Sequence, residues 1–250
     1  MTNANRALQV GALFVLFAIC PLGYGSEVEV ARVLDGDSLV LTDGREVRLL
    51  GINAPEFNKN NGPNEPMAEA ARDQLWALVR KKIFNLKTEQ EVKDRYGRLL
   101  AHLLQPDGKT ISEIMVREGY AWMVAIPPNI GRLEQLQLAE AKARAENRGV
   151  WAVAAYRARP AEQLTMRDTG FRRVTGRVTR VGESAHAVYM DLGPTLTIVI
   201  PQADWRRWFR ADAKQWEGRQ LEARGWVTQR GERLRLRVHH PAMLTSTRLD

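Results

Sequence analysis

Apolar and charged residues alternate at the start of EVEVARVL (27–34), which predicts a half-buried strand. Asp35-Gly36-Asp37 predicts a hairpin turn and SLVLT (38–42) the return strand. Asp43-Gly44 makes a second tight turn into REVRLLGI (45–52), so the first three strands form a meander. NKNNGPNEP (58–66) is a loop by composition. MAEAARDQLWALVRKK (67–82) then has helical spacing, with Pro66 in its first turn. IFNLKTE (83–89) and RLLAHLLQ (98–105) predict two further strands around the polar QEVKDRYG. Thr110 and Glu113 form a capping box that opens a helix closed at Gly119, and a third helix spans 132–149. The pattern over 26–155 predicts a mainly β, α+β domain: an OB-type five-stranded barrel with three helices.

The alternation starts afresh after a polar, Pro- and Arg-containing linker at 156–168. Strands are expected at 171–182, 187–193, 196–201, 219–231 and 233–238, with one helix at 203–212. Five strands with a helix between the third and fourth predict a second, small OB-like β-barrel over 169–245. No sequence repeat links the two halves.

The first 25 residues are read apart from the fold. Arg6 precedes an apolar run from Ala7 to Leu22, and Gly23-Tyr24-Gly25 before Ser26 fits a small-x-small cleavage site. This predicts a signal peptide at 1–25 and export to the periplasm or beyond the cell. The rival is an uncleaved membrane anchor, since the run is a little short of a spanning helix. Cleavage after Gly25 removes Cys20, the sole cysteine, and with it disulfide, thiol and Cys-metal chemistry.

Charge separates the halves further. Residues 26–155 carry 18 Lys and Arg against 19 Asp and Glu, whereas 156–250 carry 18 against 10, of which 17 are Arg. An Arg-rich second half suits a polyanion, because guanidinium pairs with phosphate in a bidentate fashion. It also fits a plain solvated surface.

Several charged residues interrupt the apolar pattern of the first half: Asp35 and Asp37, Arg48, Glu56, and Arg95 and Arg98 around Tyr96-Gly97. Singly, each reads as a turn acid or a solvated strand residue. Together they supply what phosphodiester hydrolysis needs: oxygen ligands for a hard cation, guanidinium groups for the developing charge, and a carboxylate beside the attacking water. His102, His186, His239 and His240 have no metal-ligand spacing beyond one adjacent pair, and no phosphate-binding Gly-rich loop or Ser nucleophile motif occurs.

VARVLDGDSLVL (30–41), VRLLGINAPE (47–56) and KDRYGRLLA (93–101), in this order and spacing, resemble the signature segments of the staphylococcal nuclease (thermonuclease) family. The resemblance covers about 27–152, including Gly119-Tyr120-Ala121 and Gly149-Val150-Trp151. It implies an OB-type barrel and a Ca²⁺-dependent nuclease that cleaves DNA and RNA to 3′-phosphate products. It also implies Asp37 as a calcium ligand, Ala54 as a ligand through its carbonyl, and Arg48 and Arg98 on the phosphate. Glu56 takes the place of the residue that activates or positions water, and Arg95 and Tyr96 that of a Lys-Tyr pair on the terminal phosphate.

Two departures stand out. Asn53 replaces the family's second calcium Asp, and losing a negative ligand weakens a Ca²⁺ site. MVAIPPN (123–129) lacks the stacking aromatics expected there. Phe171, Tyr189, Trp205, Trp208 and Trp226, interleaved with Arg, are candidates to supply them, and Trp205, Trp208 and Trp226 read equally as core residues. The second half also resembles OB modules appended to some bacterial nuclease-like proteins. The expected partners are DNA and RNA, preferably single-stranded, with no small-molecule cofactor. The rival reading is a non-enzymatic module that holds nucleic acid or another polyanion, with Ca²⁺ binding lost at Asn53.

Overall fold

The computed structural model describes residues 26–58 and 62–247, so the expected signal segment at 1–25 lies outside the described residues. The meander forms as β1 (Ser26–Val33), β2 (Ser38–Leu41) and β3 (Glu46–Leu49). REVRLLGI does not run on as one strand. Gly51 takes φ 77°, and a Cβ there would stand 2.4 Å from Leu136 Cδ1. The backbone therefore turns at a position only Gly fits, and β4 (Ile52–Asn53) leaves the barrel.

Helix α1 (Ala68–Val79) starts after Met67, which caps it at φ 66°, so Pro66 precedes the first turn instead of occupying it. Strand β5 (Ile83–Lys93) runs past the expected Glu89 and returns as β6 (Leu99–Leu104). Helix α2 (Ile111–Arg117) is capped by the Thr110 hydroxyl, which accepts the Glu113 N–H at 3.1 Å. Glu113 turns its carboxylate to Arg132 at 3.6 Å, so the capping box shows only its first half. Strand β7 (Trp122–Met123) pairs with β4, and α3 (Leu133–Ala145) completes the first unit.

The barrel closes in the order β1-β2-β3-β6-β5, with β3 and β6 parallel. Leu39, Leu41, Val47, Leu49, Phe84 and Leu103 fill it, against Leu75 of α1 and Met115 of α2. Each such side chain contributes about 1.5–3 kcal/mol of burial, which holds the strand ends rigid enough to carry a site.

The stretch expected to be a linker is part of the second unit. Its β8 (Arg159–Pro160) pairs parallel with β9 (Gly170–Arg177), and Ala161 and Leu164 are buried. β10 (Arg180–Glu183), β11 (Ala187–Leu192), β12 (Leu196–Pro201), β13 (Gln220–Arg230), β14 (Arg233–Arg237) and β15 (Leu244–Thr247) follow. Their sheet runs β10-β11-β12-β14-β13-β9-β8, with β15 also on β13. β9 and β10 are separated only by Val178 and Thr179, so the expected single strand at 171–182 is bent and the sheet curls back toward its own start. β12 and β14 pair in parallel, as β3 and β6 do. The two units thus share one strand order without sharing sequence.

The helix expected at 203–212 is only a turn, Gln202–Asp204, running into a wider π-helical turn at Trp205–Phe209. Trp205 stacks on Phe209 at 4.6 Å and donates its Nε1–H to the Ala211 carbonyl at 3.1 Å. It is buried core, which decides for Trp205 between a core residue and a ligand-stacking ring.

A charged clasp joins the units. Arg224 of β13 is 8% exposed and donates to Glu140 Oε2 of α3 at 2.6 Å. The other oxygen of Glu140 accepts the Met123 N–H at 2.8 Å. Glu222 bridges Arg173 of β9 at 2.8 Å and Arg144 of α3 at 3.3 Å. Among the described residues no helix is long and apolar enough to cross a membrane.

Candidate active site

Between β1 and β2 the chain reverses tightly. The Leu34 N–H donates to the Ser38 carbonyl at 2.9 Å, and Asp35 Oδ1 accepts the Asp37 N–H at the same distance. A Cβ on Gly36 would lie 2.5 Å from Ala54 Cβ and 2.7 Å from Ala71 Cβ. Gly is therefore needed for the turn to press against α1 and the end of β4. That pressure buries Asp37 to 2% exposure.

Both oxygens of Asp37 are engaged. Oδ2 accepts the Ala54 N–H at 2.8 Å and faces Arg48 Nη2 at 3.0 Å, while Oδ1 accepts the Ser38 hydroxyl at 3.0 Å. Burial pushes the Asp37 carboxyl up to about 7; Arg48 pulls it down, Asp35 raises it, the Ala54 N–H lowers it and Glu56 raises it. Arg48 is the cross-strand neighbour of Ser38, and its side chain also donates to the Leu49 carbonyl at 3.2 Å. A longer contact, 3.5 Å, joins Arg48 Nη2 to Asn53 Oδ1, while Asn53 Nδ2 reaches the Ala54 carbonyl at 3.4 Å.

Arg98 immediately precedes β6, the parallel neighbour of the strand that carries Arg48. Its Nε donates to Asp94 Oδ2 at 2.7 Å and its Nη1 to Ser38 Oγ at 3.4 Å. Burial disfavours its charge, but the hydrogen bond and charge of Asp94, with Asp37 and Glu46 beyond, more than offset this and raise its pKa. Arg95 and Tyr96 sit on the outer tip of the same turn, with Tyr96 69% exposed. Arg95 donates to the Tyr96 hydroxyl at 2.6 Å, and the Arg95 and Arg98 guanidiniums lie 4.7 and 5.6 Å from its ring centre.

Glu56 follows the buried Pro55 and is exposed. Its backbone N–H donates to Glu65 Oε2 at 2.9 Å, and its charge is felt at Asp37. The structure thus gathers Asp37, Arg48, Asn53 and Ala54 into one contact set. Arg98 joins through Ser38, Glu56 joins electrostatically, and Arg95 and Tyr96 flank from the tip.

Three supporting residues escaped the sequence pattern. Ser38 links Asp37 to Arg98, Asp94 holds Arg98, and Glu65 holds the backbone of Glu56. Asp94 had a signal, since an Asp opening Asp-x-x-Gly caps its own turn and accepts the Tyr96 N–H here at 2.9 Å. Glu65 lies across a loop and had none.

Asp37, the Asn53 amide and the Ala54 carbonyl are hard oxygen donors, the chemistry that suits Ca²⁺. Among the described residues no three His, Cys, Asp or Glu side chains gather closely enough to hold an ion by themselves. Amide and carbonyl oxygens must therefore contribute. Burial and two neighbouring acids disfavour the ionised form of the Asp37 carboxyl, and a cation beside it would favour that form. The residues fit a hard cation held weakly, because the set carries a single formal negative charge.

Residues 46–153 match the family model described as "Staphylococcal nuclease homologue". The chain is 36% identical over 165 residues to a "Micrococcal nuclease" of Shigella flexneri, covering 60% of this chain and 88% of the relative. It is 34% identical over 125 residues to an "Uncharacterized endonuclease" of Escherichia coli O157:H7, covering 49% and 74%. It belongs to the staphylococcal nuclease family. A "Thermonuclease" of Staphylococcus intermedius is 31% identical over 130 residues, covering 51% of this chain and 77% of the relative. The family match begins at Glu46, so Asp37 enters the site through geometry.

The second unit distributes its aromatic residues unevenly. Phe171 packs between Trp122 and Trp226, at 5.3 and 5.2 Å between ring centres. Trp208 lies against His240 at 5.2 Å, with Arg207 over its ring at 4.8 Å. Tyr189 lines an open cavity of about 340 Å³ with Arg180, Arg230, Arg233 and Arg235. The histidines are engaged locally: His102 Nε2 with Glu89 at 2.7 Å, His239 Nδ1 with Asp204 at 2.7 Å, and His240 Nδ1 as acceptor of the Ala242 N–H at 3.1 Å.

Proposed function

We propose that this nuclease-family chain is an exported, metal-dependent phosphodiesterase acting on single-stranded DNA and on RNA, with its second unit assisting capture. The observation that carries the reading is the convergence of Arg48 and Arg98, from two strands, on the Asp37–Ser38 step. Two guanidinium groups, one held by Asp37 and the other by Asp94 with a contact to Ser38, offer electrostatic stabilisation that needs no rearrangement as charge develops.

In this reading Asp37, Asn53 and Ala54 hold Ca²⁺ through their oxygens, and the bound ion supplies positive charge to the phosphate. Arg48 and Arg98 donate to the non-bridging phosphoryl oxygens. Arg98 Nη2, which has no partner among the described residues, is the donor most ready to do so. Glu56, exposed beside Asp37, orients a water and accepts its proton as the oxygen attacks phosphorus. The bond to the 5′ oxygen breaks, that oxygen takes a proton from solvent, and a 3′-phosphate end remains. Arg95 and Tyr96 hold the adjoining terminal phosphate.

The Arg-lined cavity around Tyr189 supports the capture role, since phosphate neutralisation is additive and sequence-independent. Arg230→Ala with Arg235→Ala should weaken binding of a single strand and lower the slope of log affinity against log salt by roughly 0.7 per charge; an unchanged slope removes this face from the reading. The apolar run before Ser26 supports export. Sequencing the N-terminus of exported protein should start at Ser26; retention of Met1 contradicts cleavage. Cleavage of denatured DNA and of RNA with Ca²⁺ against chelator tests the whole, with a 3′-phosphate end expected on the products.

A further inference from the structure

We propose that the cavity between the two units binds one unpaired base of the substrate strand, beside the loop that carries Glu56. The inference rests on the nuclease reading and deepens it. The cavity holds about 260 Å³, and its walls include Trp122, Tyr156, Phe171, Glu65, Arg157 and Arg172. This is just under the roughly 300 Å³ at which drug-sized sites start, and it suits a single base but excludes a duplex.

The wall chemistry matches a base. Trp122 meets Tyr156 edge-on at 4.6 Å and Phe171 at 5.3 Å, so three rings from three chain segments face one space. Trp122 is 2% exposed, and its Nε1–H is buried with no hydrogen-bond partner among the described residues. A buried donor left unpaired calls for an acceptor, and every nucleobase carries ring nitrogen or carbonyl acceptors on a flat π face. The Tyr156 O–H donates to the Pro66 carbonyl at 2.6 Å, which fixes the ring as a wall.

The charges also sort by availability. Glu65 is taken by the Glu56 N–H at 2.9 Å, and Asp168 by Arg159 and Thr165. Arg157 has no side-chain partner among the described residues, and Arg172 donates only to the Phe171 carbonyl at 2.8 Å. The cations left over suit the phosphates that flank an inserted base. Glu65 lines the cavity and accepts the backbone N–H of Glu56, so the cavity adjoins the loop that carries Glu56. Tyr156 and Phe171, partly exposed and packed over the buried Trp122, also provide the stacking surface that MVAIPPN lacks.

The test uses the full chain in chelator, so that binding is read without cleavage. An oligothymidylate carrying 5-iododeoxyuridine is irradiated and the crosslinked peptide mapped; attachment at Trp122, Tyr156 or Phe171 is expected. An abasic oligomer of equal length should bind about tenfold more weakly, the effect of one stacked base. Tyr156→Ala should abolish that difference, and Arg157→Glu, at an exposed position with no partner to disturb, should weaken both oligomers several-fold. Crosslinks confined to Tyr189, or equal binding of the base-bearing and abasic oligomers by the unaltered chain, overturn the proposal. Loss of Ca²⁺-dependent cleavage with the crosslink intact would instead count against the nuclease reading alone.

Discussion

Arg48 Nη2 stands 3.0 Å from Asp37 Oδ2, the same oxygen that accepts the Ala54 N–H at 2.8 Å. A tethered guanidinium therefore already neutralises the one charged cation ligand, and Asn53 adds no charge of its own. A calcium ion must share Asp37 with Arg48, which places its affinity low for an oxygen site, since affinity follows ligand charge.

Asn53→Asp restores the missing charge. Calcium titrated into the variant and followed by calorimetry should show tighter binding, roughly tenfold or more by the charge dependence of such sites. Unchanged affinity would mean that Asn53 is not a ligand.

Asp94 positions Arg98 through a 2.7 Å hydrogen bond. Arg98→Ala should lower kcat/KM by about 10²–10³, as loss of an electrostatic donor does. Asp94→Asn keeps the donor and an oxygen acceptor but removes the acceptor's charge; a loss of about 1.5 kcal/mol, the lower end for a hydrogen bond to a charged group, corresponds to a smaller fall, near tenfold. Equal losses in steady-state kinetics of the two variants would contradict a positioning role.

How much of this was readable in the sequence depends on range. Alternation and turn residues placed the strands, because burial of one face dictates period two. The break at Gly51 was not visible, since what forbids a side chain there is Leu136, 85 positions along the chain. Arg48, Asp37 and Arg98 stood out because charge inside an apolar strand needs a partner. Glu65 and Ser38 did not, as a loop acid and a strand serine are unremarkable until the fold sets them beside Glu56 and Arg98. Trp205 read equally as a ligand-stacking ring or as core and is core, because a ring's partners are set by packing and not by its neighbours in sequence.

Asp37 also predicts a pH dependence. Its carboxyl, near 3.8 when unfolded, is raised by burial to about 7 in the folded chain. Between these values the folded state holds the proton more tightly, so this contribution to stability is complete below about pH 4 and is lost as pH rises to 7. His102 acts oppositely, since burial lowers its pKa against the pull of Glu89, and its contribution is lost as pH falls. Melting in chelator should isolate Asp37 by comparison with Asp37→Asn. The parent should lose on the order of 5 °C more than the variant between pH 5 and pH 7, at about 1.4 kcal/mol per pH unit. Parallel pH profiles would contradict the burial argument.

The clasp between the units yields a stability prediction. Glu140→Ala leaves the buried Arg224 without its carboxylate, with only the Ala242 carbonyl and the Met123 sulfur as partners, and strips the Met123 N–H of its acceptor. A loss of about 3–5 kcal/mol is expected, read as a fall in the urea midpoint. Arg144→Ala, whose side chain is half exposed beside Glu222, should cost no more than about 1 kcal/mol. Comparable losses would show that Glu140 and Arg224 do not hold the units together.

The most direct measurement is the rate at which the full chain cleaves denatured DNA, in Ca²⁺ and in chelator, beside its Glu56→Gln variant. Glu56 is exposed, so the substitution should leave the melting temperature unchanged. The account predicts Ca²⁺-stimulated cleavage that falls by at least about 10² in the variant. Binding of the DNA without Ca²⁺-stimulated cleavage, or an undiminished rate in Glu56→Gln, would contradict it.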